Sequence, residues 1–374
     1  MYTRDANPQD PLLRAWLALA RAPGLHADQL RPALARAGSP AALWRERPER
    51  LRALGLPPGA CAVLAEPPEQ QLDADFAFLQ ARGGWLLPCT SPAYPVLLAQ
   101  TQTAPAVLHG LGDAALLDRP QIAVVGSRHP TPAGREIARE FATGLARAGL
   151  VITSGLAQGI DAAAHEGALD AGCGTLAVCG TGLDQVYPPR HRDLAARIER
   201  GGTLLSEFPR GTPPLKDHFP RRNRILSGLS RGTLVVEAAL RSGSLITARL
   251  ALDQGREVFA VPGSIRSPLS AGCHDLLRKG ACLVTAPADV LAEIGLPIEN
   301  LSFDFQSLET RSVAPRLDKP REILLDALGF EPASIDELVD RTGLSAGSIA
   351  SMLMTLELDL RVAPQAGGLY SRVR

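Results

Sequence analysis

The sequence predicts an α/β fold with a mostly parallel sheet, preceded by a small helical unit and followed by a winged-helix unit. Three observations support this: short amphipathic helices open the chain, strands alternate with helices over residues 84–296, and a helix-turn-helix pattern with a hairpin follows. Strands that alternate with helices form right-handed crossovers, so both faces of the sheet are covered. A chain of 374 residues is long enough for two or three such domains.

Residues 1–80 contain the predicted N-terminal helical unit. PLLRAWLALARAPG, HADQLRPALARAG and SPAALWRERPERLRAL each have amphipathic spacing and end at or before Gly or Pro. The arrangement resembles a SAM-like or helix-hairpin-helix bundle. Such bundles sometimes contact DNA backbones, but we favour a packing or partner-binding domain.

Residues 84–296 alternate between β-rich and helical segments. The helical segments are 134–149, 159–172, 191–200 and 245–254. The β-rich segments are IAVVG (122–126), LVITSG (150–155), TLAVCG (175–180), TLLSEF (203–208), TLVVEA (233–238), EVFAVPG (257–263) and CLVT (282–285). This alternation predicts a Rossmann-like core.

Residues 297–319 lack periodicity and form a predicted linker, and residues 320–374 fit a winged helix. The tail from 317 to 374 carries six cations and nine anions, and its second helix, SAGSIASMLMTLELD, has no Lys or Arg. Neutralisation of phosphates supplies most nonspecific DNA affinity. We therefore favour protein contact or regulation for this unit over the reading of duplex DNA.

The composition limits the class of protein. The formal net charge is +0, so any site for a polyanion must be a local patch. The six cysteines form no C-x-x-C pair, which favours reduced core residues over disulfides or a metal site. No apolar run is long enough to span a membrane, and MYTRDANPQD does not look like a signal peptide. We expect a cytoplasmic protein without a bound metal.

Three loops at the carboxyl ends of predicted strands carry the first candidate site. They are Gly126-Ser127-Arg128, the segment 154–161 and the segment 180–184. Ligands of open α/β sheets bind at these ends, and glycine amides beside helix N-termini favour phosphate. The hydroxyls of Ser127, Ser154 and Thr181 add donors, and the guanidinium of Arg128 adds a full charge.

The same loops argue against a nucleotide cofactor. The first loop reads GSRHPTPAG, which lacks the G-x-G-x-x-G pattern, and no G-x-x-x-x-G-K-[ST] occurs. The second strand ends in Thr153-Ser154-Gly155, where a site for NAD would place an acidic residue. We expect no cofactor.

The segment LKDHFPRRNR (215–224) carries the second candidate site, because it concentrates four cations around one aromatic ring. Cations bind phosphates, and an exposed ring stacks on an unpaired base at roughly 1–3 kcal/mol per base. The segment therefore favours single-stranded nucleic acid over a duplex, whose bases are already stacked. Two alternatives stay open: a solvated charged face, and Phe219 as a core anchor at a helix start, with Ile225 and Leu226 behind it.

Five motifs of the chain bear on its family. They are VVGSR (124–128), SGLAQGIDAAAH (154–165), KDHFPRRNRILSG (216–228), VVEAALRSGSLITARLALDQGREVFAVPG (235–263) and AGCHDLL (271–277). Together these motifs resemble the DNA-processing protein A (DprA/Smf) family. They span most of residues 84–296, and their combination is specific. The flanking units match the longer, three-part members more weakly.

The resemblance implies a non-enzymatic protein that binds and protects single-stranded DNA during natural transformation and loads RecA recombinase. It also implies action as a homodimer and tolerance or displacement of single-strand-binding protein. The family's DNA pocket maps onto Arg128, Lys216 and Phe219, with Asn223 and Arg224 as weaker candidates. The full predicted DNA-binding set is Gly126, Ser127, Arg128, Ser154, Gly155, Gln158, Gly159, Lys216, Phe219, Asn223 and Arg224.

Two enzymatic alternatives were weighed against DNA binding. Glu237 lies near the position of a glutamate in Rossmann-like phosphoribohydrolases, but the surrounding glycine pattern differs, and a structural role is favoured. Asp161 and His165 are four residues apart and share a helix face, where they could form an acid–base pair. We favour helix capping and a polar pocket for this pair.

Overall fold

The computed structural model describes residues 7, 10–295, 318–329, 332–365 and 367–373. The chain divides into two compact units, one of residues 1–129 with 138–296 and the other of residues 130–137 with 297–374. The predicted linker, residues 297–319, lies outside the described residues except for its last two positions. No helix in the described part of the chain is long and apolar enough to cross a bilayer.

Five helices open the first unit. The first starts at Pro11, and the Asp10 carboxylate accepts the N–H of Leu12 at 2.9 Å, which caps the helix. Its apolar face is buried in a core that continues into the sheet, so the helices and the sheet share one hydrophobic interior. The helices are α1 (Pro11–Arg21), α2 (Ala27–Ala37), α3 (Pro48–Ala53), α4 (Pro58–Ala65) and α5 (Glu69–Arg82). Their resemblance to a SAM-like bundle stays a prediction.

Nine strands form the sheet of the first unit. They are β1 (Trp85–Pro88), β2 (Val107–Gly112), β3 (Gln121–Gly126), β4 (Val151–Ser154), β5 (Thr175–Val178), β6 (Thr203–Ser206), β7 (Gly232–Val236), β8 (Glu257–Ala260) and β9 (Cys282–Leu283). Their order is β1-β2-β6-β5-β4-β3-β7-β8-β9. The seven strands from β3 onward are mutually parallel, which confirms the predicted α/β class.

The two strands β1 and β2 were not predicted individually. Strand β1 pairs with β2, and β2 pairs with β6, both in antiparallel fashion. Both are almost entirely buried, so their sequences, WLLP and VLHGLG, lack the alternation of a half-exposed strand. They lengthen one edge of the sheet.

The strand order reverses at β3. Strands β4, β5 and β6 follow on one side of β3, and β7, β8 and β9 follow on the other. The connections that leave β3 and β7 therefore diverge and leave a crevice outside the carboxyl ends of these two strands.

The remaining helices of the sheet unit connect and cover the strands. They are α6 (Val96–Ala99), α7 (Pro132–Arg147), α8 (Ile160–Asp170), α9 (Arg192–Gly201), α10 (His218–Leu229), α11 (Ser244–Asp253), α12 (Ala271–Arg278) and α13 (Pro287–Glu293). Helix α10 contains most of the basic segment, from His218 to Arg224. The alternative, in which Phe219 stands at a helix start, gives the correct secondary structure.

The second unit has the predicted winged-helix elements. Helices α14 (Lys319–Leu328), α15 (Ile335–Thr342) and α16 (Ala346–Leu358) accompany strands β10 (Ala333–Ser334), β11 (Val362–Gln365) and β12 (Leu369–Arg372). Ser334 and Glu337 form a reciprocal capping box that starts α15. The strands pair in the order β10-β12-β11, and leucines from all three helices fill the small core.

None of the six cysteines is bonded to another. Four are buried and two, Cys173 and Cys282, are partly exposed. Burial raises the pKa of Cys179 to about 11, so this thiol is protonated and unreactive at neutral pH.

Candidate nucleic-acid interface

A cleft of about 690 Å³ lies at the crevice where the strand order reverses. Its walls come from the loop after β3, the N-terminal half of α10, and the segment that joins β7 to α11. Four cationic side chains and one carboxylate are among the lining residues, although the whole chain has a formal net charge of +0. The volume is in the range of about 300–1,000 Å³ typical of ligand pockets.

One face of α10 forms a wall of this cleft. Phe219, Arg222, Asn223 and Leu226 all line it, and their spacing of three and four residues places them on one side of a helix. The wall therefore presents, in order, a ring, a guanidinium, an amide and an aliphatic side chain. The helical period separates these groups from Arg221 and Arg224, which face elsewhere.

Arg128, Lys216 and Phe219 meet at the rim of the cleft. The guanidinium carbon of Arg128 is 5.9 Å from the centroid of the Phe219 ring, within cation–π range. Lys216 is exposed and lines the same cleft, and the ring of Phe219 is half-buried. The ring of Tyr187 lies 5.3 Å from that of Phe219, tilted by 40°. The structure thus brings together the three residues ranked first from sequence; their contact with DNA stays a prediction.

Arg222 is an unusual charge in the floor of the cleft. Its side chain is only 4% exposed, and its Nε and Nη1 have no hydrogen-bond partner among the described residues. Burial lowers the pKa of Arg222, and the negative charge of Asp161 partly opposes this shift. The Cα of Gly155 lies against the guanidinium, since a Cβ at this position would be 1.6 Å from Nη1. A side chain at position 155 would therefore displace the guanidinium from its present position.

The loop after β4 is stabilised internally by Asp161. One oxygen of this buried carboxylate accepts the N–H groups of Gly155 at 3.1 Å and Ala157 at 3.3 Å. Burial raises the pKa of Asp161, while Arg222 and the two amides counteract the rise. The expectation that the amides of this loop are open to a ligand is thus wrong for these two.

Two of the predicted hydroxyl donors are also engaged within the fold. The Ser154 hydroxyl donates to the carbonyl of Val124 at 2.6 Å and is fully buried. The Thr181 hydroxyl donates to the carbonyl of Gln185 at 2.7 Å. Both side chains therefore connect segments of the protein instead of facing the cleft.

The loop after β3 lies directly against the loop after β4. Gly126 and Ser127 line the cleft, and the N–H of Ser127 donates to the carbonyl of Glu237 at 2.8 Å. Gly159 has a φ of +86°, and a Cβ there would lie 2.3 Å from the carbonyl oxygen of Ser127, so only glycine fits. The amide of Gln158 approaches the ring of His129 at 3.0 Å. Gly155, Gln158 and Gly159 therefore support the site and are not among the residues that line it.

Arg224 is not brought to the cleft. It is 8% exposed, forms an ion pair with Glu207, and donates a hydrogen bond to the carbonyl of Thr103. Arg221 pairs with the same carboxylate at 3.0 Å. Arg224 was included as a DNA-binding candidate because it lies in the basic segment, but its geometry indicates a structural role.

The two enzymatic alternatives find little support in the geometry. His165 is fully buried with Nδ1 at 2.8 Å from the Thr175 hydroxyl, and burial lowers its pKa to about 3. The His165 ring bonds to strand β5 through Thr175, whereas the Asp161 carboxylate bonds to the loop after β4. The two side chains therefore have separate structural partners, in agreement with the structural role favoured for this pair. Glu237 has a φ of +52°, and its carbonyl joins the ends of β7 and β3. Its side chain does not line the cleft.

One group of potential metal ligands occurs in the described part of the chain. The ligand atoms of Glu257, Cys282 and Glu293 lie within 4.8 Å of one another. They stand at the β8–β9 edge of the sheet, and the two glutamates are exposed. They are not part of the cleft.

Several cleft residues were missed by the sequence reasoning. Arg222 was passed over because nothing in the segment distinguishes it from its basic neighbours until a helical period is assumed. Tyr187 was not considered, although it is an exposed aromatic residue in a chain with few aromatics. Arg241, Ser244 and Thr247 belong to a motif that was quoted only for its resemblance; their position after β7 was the available signal.

The fold and the cleft define a parallel α/β protein with a cationic, ring-bearing site at the point where its strand order reverses. Residues 85–295 match the model of the DNA recombination-mediator protein A family, and residues 309–368 match the DprA winged helix domain. The chain is 43% identical over 319 residues to protein Smf of Escherichia coli, with 82% of each chain covered. The chain therefore belongs to the DNA-processing protein A (DprA/Smf) family.

Further relatives agree with this assignment. DNA processing protein DprA of Streptococcus pneumoniae is 50% identical over 200 residues, which cover 54% of this chain and 71% of the relative. The X-ray structure of the pneumococcal protein matches with a TM-score of 0.59 and 39% identity, over 74% of this chain and 95% of that one. A structure of DNA processing protein A from Helicobacter pylori, described for its single-stranded DNA binding mode, matches with a TM-score of 0.51 and 32% identity. It covers 56% of this chain and 95% of that one.

Proposed function

We propose that this protein binds single-stranded DNA in the cleft, protects incoming DNA during natural transformation and loads RecA recombinase onto it. The observation that carries the proposal is the convergence of Arg128, Lys216 and Phe219 on one cleft. Two of these side chains are exposed cations, and the third is a half-buried ring.

The chemistry of the cleft fits an unpaired strand better than a duplex. Cations neutralise phosphates in either form, but only an unpaired strand offers a base face to an aromatic ring. Phe219 and Tyr187 are adjacent rings in the same cleft, so they provide such a surface. Phosphate contacts and stacking on an aromatic ring do not depend on the identity of the base, so we expect binding without strong sequence preference.

The wider role is proposed from the family. The Helicobacter pylori relative is described by its binding of single-stranded DNA, and the pneumococcal relative is named as a DNA-processing protein. By resemblance, the partners are single-stranded DNA, RecA, single-strand-binding protein and a second copy of this chain, in the cytoplasm. We expect no catalytic reaction, because the candidate Glu237 is not among the cleft residues.

The experiment is a gel-shift series with a 20-nucleotide oligo-dT and a 20-base-pair duplex across several salt concentrations. We expect tighter binding of the single strand, and an affinity that falls as salt rises because counterions are released. Equal affinity for the duplex would contradict the proposal. Deletion of residues 317–374 removes the winged-helix unit, whose second helix has no Lys or Arg, and should leave single-strand binding intact.

A further inference from the structure

The floor of the cleft contains a charge that the protein itself does not neutralise by contact. Arg222 is buried, lines the cleft, and forms no ion pair with the described residues. The negative charge of Asp161 stabilises the Arg222 guanidinium from a distance. One oxygen of that carboxylate accepts hydrogen bonds from two backbone amides and none from the guanidinium. A buried cation without a contacting partner costs several kcal/mol. An anion in the cleft would remove much of this cost.

A second unpartnered polar group lies in the same cleft. Thr247 is 1% exposed, and its hydroxyl has no hydrogen-bond partner among the described residues. The neighbouring hydroxyls of Ser242 and Ser244 are 2.6 Å apart, so one of them donates to the other. The three hydroxyls belong to one stretch of cleft lining, between β7 and the first turn of α11.

The start of α11 adds positive potential to this stretch. The helix has ten residues, no acidic residue in its first turn, and no side-chain cap from Gly243. Helix N-termini carry partial positive charge and favour anions. Arg241, which is exposed and lines the cleft, immediately precedes this turn.

We propose that Arg222, Arg241, Ser244 and Thr247 form a second phosphate subsite, distinct from the rim of Arg128, Lys216 and Phe219. The inference rests on the proposed function, because its occupant is a phosphate of the same single strand. Phe219 and Arg222 are three residues apart on α10, and one helical turn rises by about 5.4 Å. The ring and the buried cation are therefore suited to neighbouring parts of one strand, with a base at the rim and a phosphate at the floor.

The test measures how the affinity for a 20-nucleotide oligo-dT depends on salt. Arg241→Gln removes one phosphate contact, and we expect roughly tenfold weaker binding and a salt slope smaller by about 0.7. Arg222→Met should have the same effect, whereas Arg222→Lys should retain the slope. The matched control is Arg249→Gln, an exposed cation on α11 outside the cleft, which should bind as the wild type does.

Thr247→Val keeps the shape of the side chain and removes only the hydroxyl. We expect weaker binding with an unchanged salt slope, because no charge is lost. This variant and Arg241→Gln decide the question even where Arg222→Met does not fold. Wild-type affinity and slope in both would overturn the proposal.

Two further outcomes distinguish the absence of the second phosphate subsite from a failure of the proposed single-strand binding. If Arg128→Ala and Phe219→Ala weaken oligo-dT binding while Arg241→Gln, Arg222→Met and Thr247→Val do not, the second subsite is absent and the proposed function stands. If no variant at rim or floor changes binding, the proposed function fails as well. A competition with free dTMP distinguishes the source of the phosphate. Displacement of oligo-dT by dTMP at an equal nucleotide concentration would show a mononucleotide site and overturn the strand assignment.

Discussion

The guanidinium of Arg128 lies over the ring of Phe219, with 5.9 Å between the guanidinium carbon and the ring centroid. Arg128 lies in the loop after β3 and Phe219 is the second residue of α10, so the contact joins a loop and a helix that are far apart in sequence. A cation and a ring held together in this way can address a phosphate and a base of one nucleotide at once. Their contributions to binding should be separable, because only one of the two depends on salt.

Replacement of Phe219 should remove stacking without removing charge. We expect Phe219→Ala to weaken oligo-dT binding by about 1–3 kcal/mol and to leave the salt slope nearly unchanged. Fluorescence anisotropy titrations at four salt concentrations give both quantities. Phe219→Tyr, which keeps a ring, is the control and should bind nearly as the wild type does. Wild-type affinity in Phe219→Ala would exclude the stacking role.

Replacement of the rim cations, unlike replacement of Phe219, should change the salt dependence of binding. Under the proposal, Arg128 and Lys216 each contact a phosphate, so Arg128→Ala and Lys216→Glu should each lower the salt slope by about 0.7 in the same titrations. Arg128→Lys retains the charge but loses the planar fork, and we expect an intermediate affinity with the slope retained. An unchanged slope in both charge-removing variants would place the phosphates elsewhere.

A methyl group at Gly155 should disturb the floor of the cleft. The added Cβ would be 1.6 Å from Nη1 of Arg222, which cannot move freely because it is buried. We expect Gly155→Ala to lower the free energy of unfolding by about 1–3 kcal/mol and to weaken oligo-dT binding. Urea denaturation measures the first effect. Gly243→Ala, where a Cβ meets no atom within 4 Å, is the control for stability and should unfold near the wild-type midpoint.

Loss of the Arg224 guanidinium should destabilise the fold and not act selectively on DNA binding. Arg224→Met leaves the buried Glu207 carboxylate with Arg221 alone, and we expect a loss of about 3 kcal/mol in the free energy of unfolding. The double variant Arg224→Met with Glu207→Leu removes both charges and should recover part of this loss. If Arg224→Met has wild-type stability and a reduced salt slope for oligo-dT binding, the structural role is wrong and Arg224 belongs to the DNA-binding residues.

His109 should make the stability depend on pH. The residue is buried in β2, and desolvation lowers its pKa to about 4, whereas the unfolded chain has a value of about 6.5. The unfolded state therefore binds the proton first as pH falls. The contribution of neutral His109 is fully present above pH ~6.5 and is lost progressively down to about pH 4.

Replacement of His109 by leucine should reduce this dependence. The free energy of unfolding of the wild type should fall relative to that of His109→Leu by up to about 1.4 kcal/mol per pH unit in this window. Urea denaturation between pH 7 and pH 4.5 provides the measurement. His274→Gln, which replaces a partly buried imidazole outside β2, is the control. Parallel pH profiles of the wild type and His109→Leu would show that this ring does not titrate as proposed.

The sequence alone determined the class of fold and most of its elements. The parallel strands β3 to β8 are short, mostly buried apolar runs separated by helices, and local patterns of this kind specify secondary structure. The winged-helix unit followed from the same local signals. Arg128, Lys216, Phe219 and Asn223, which the structure places at one cleft, were found from residue type and motif.

Only the tertiary structure decided which cations of the basic segment face the cleft and which are internal. The three arginines of α10, at positions 221, 222 and 224, look alike in sequence but are separated by the helical period and by the position of Glu207, 14 residues before Arg221. The reversal of strand order at β3 then brought the segment after β7 to the same cleft as the loop after β3. The physical reason is that the solvation and pairing of a charge depend on neighbours far away in the chain, and a linear pattern of residue types does not contain those neighbours.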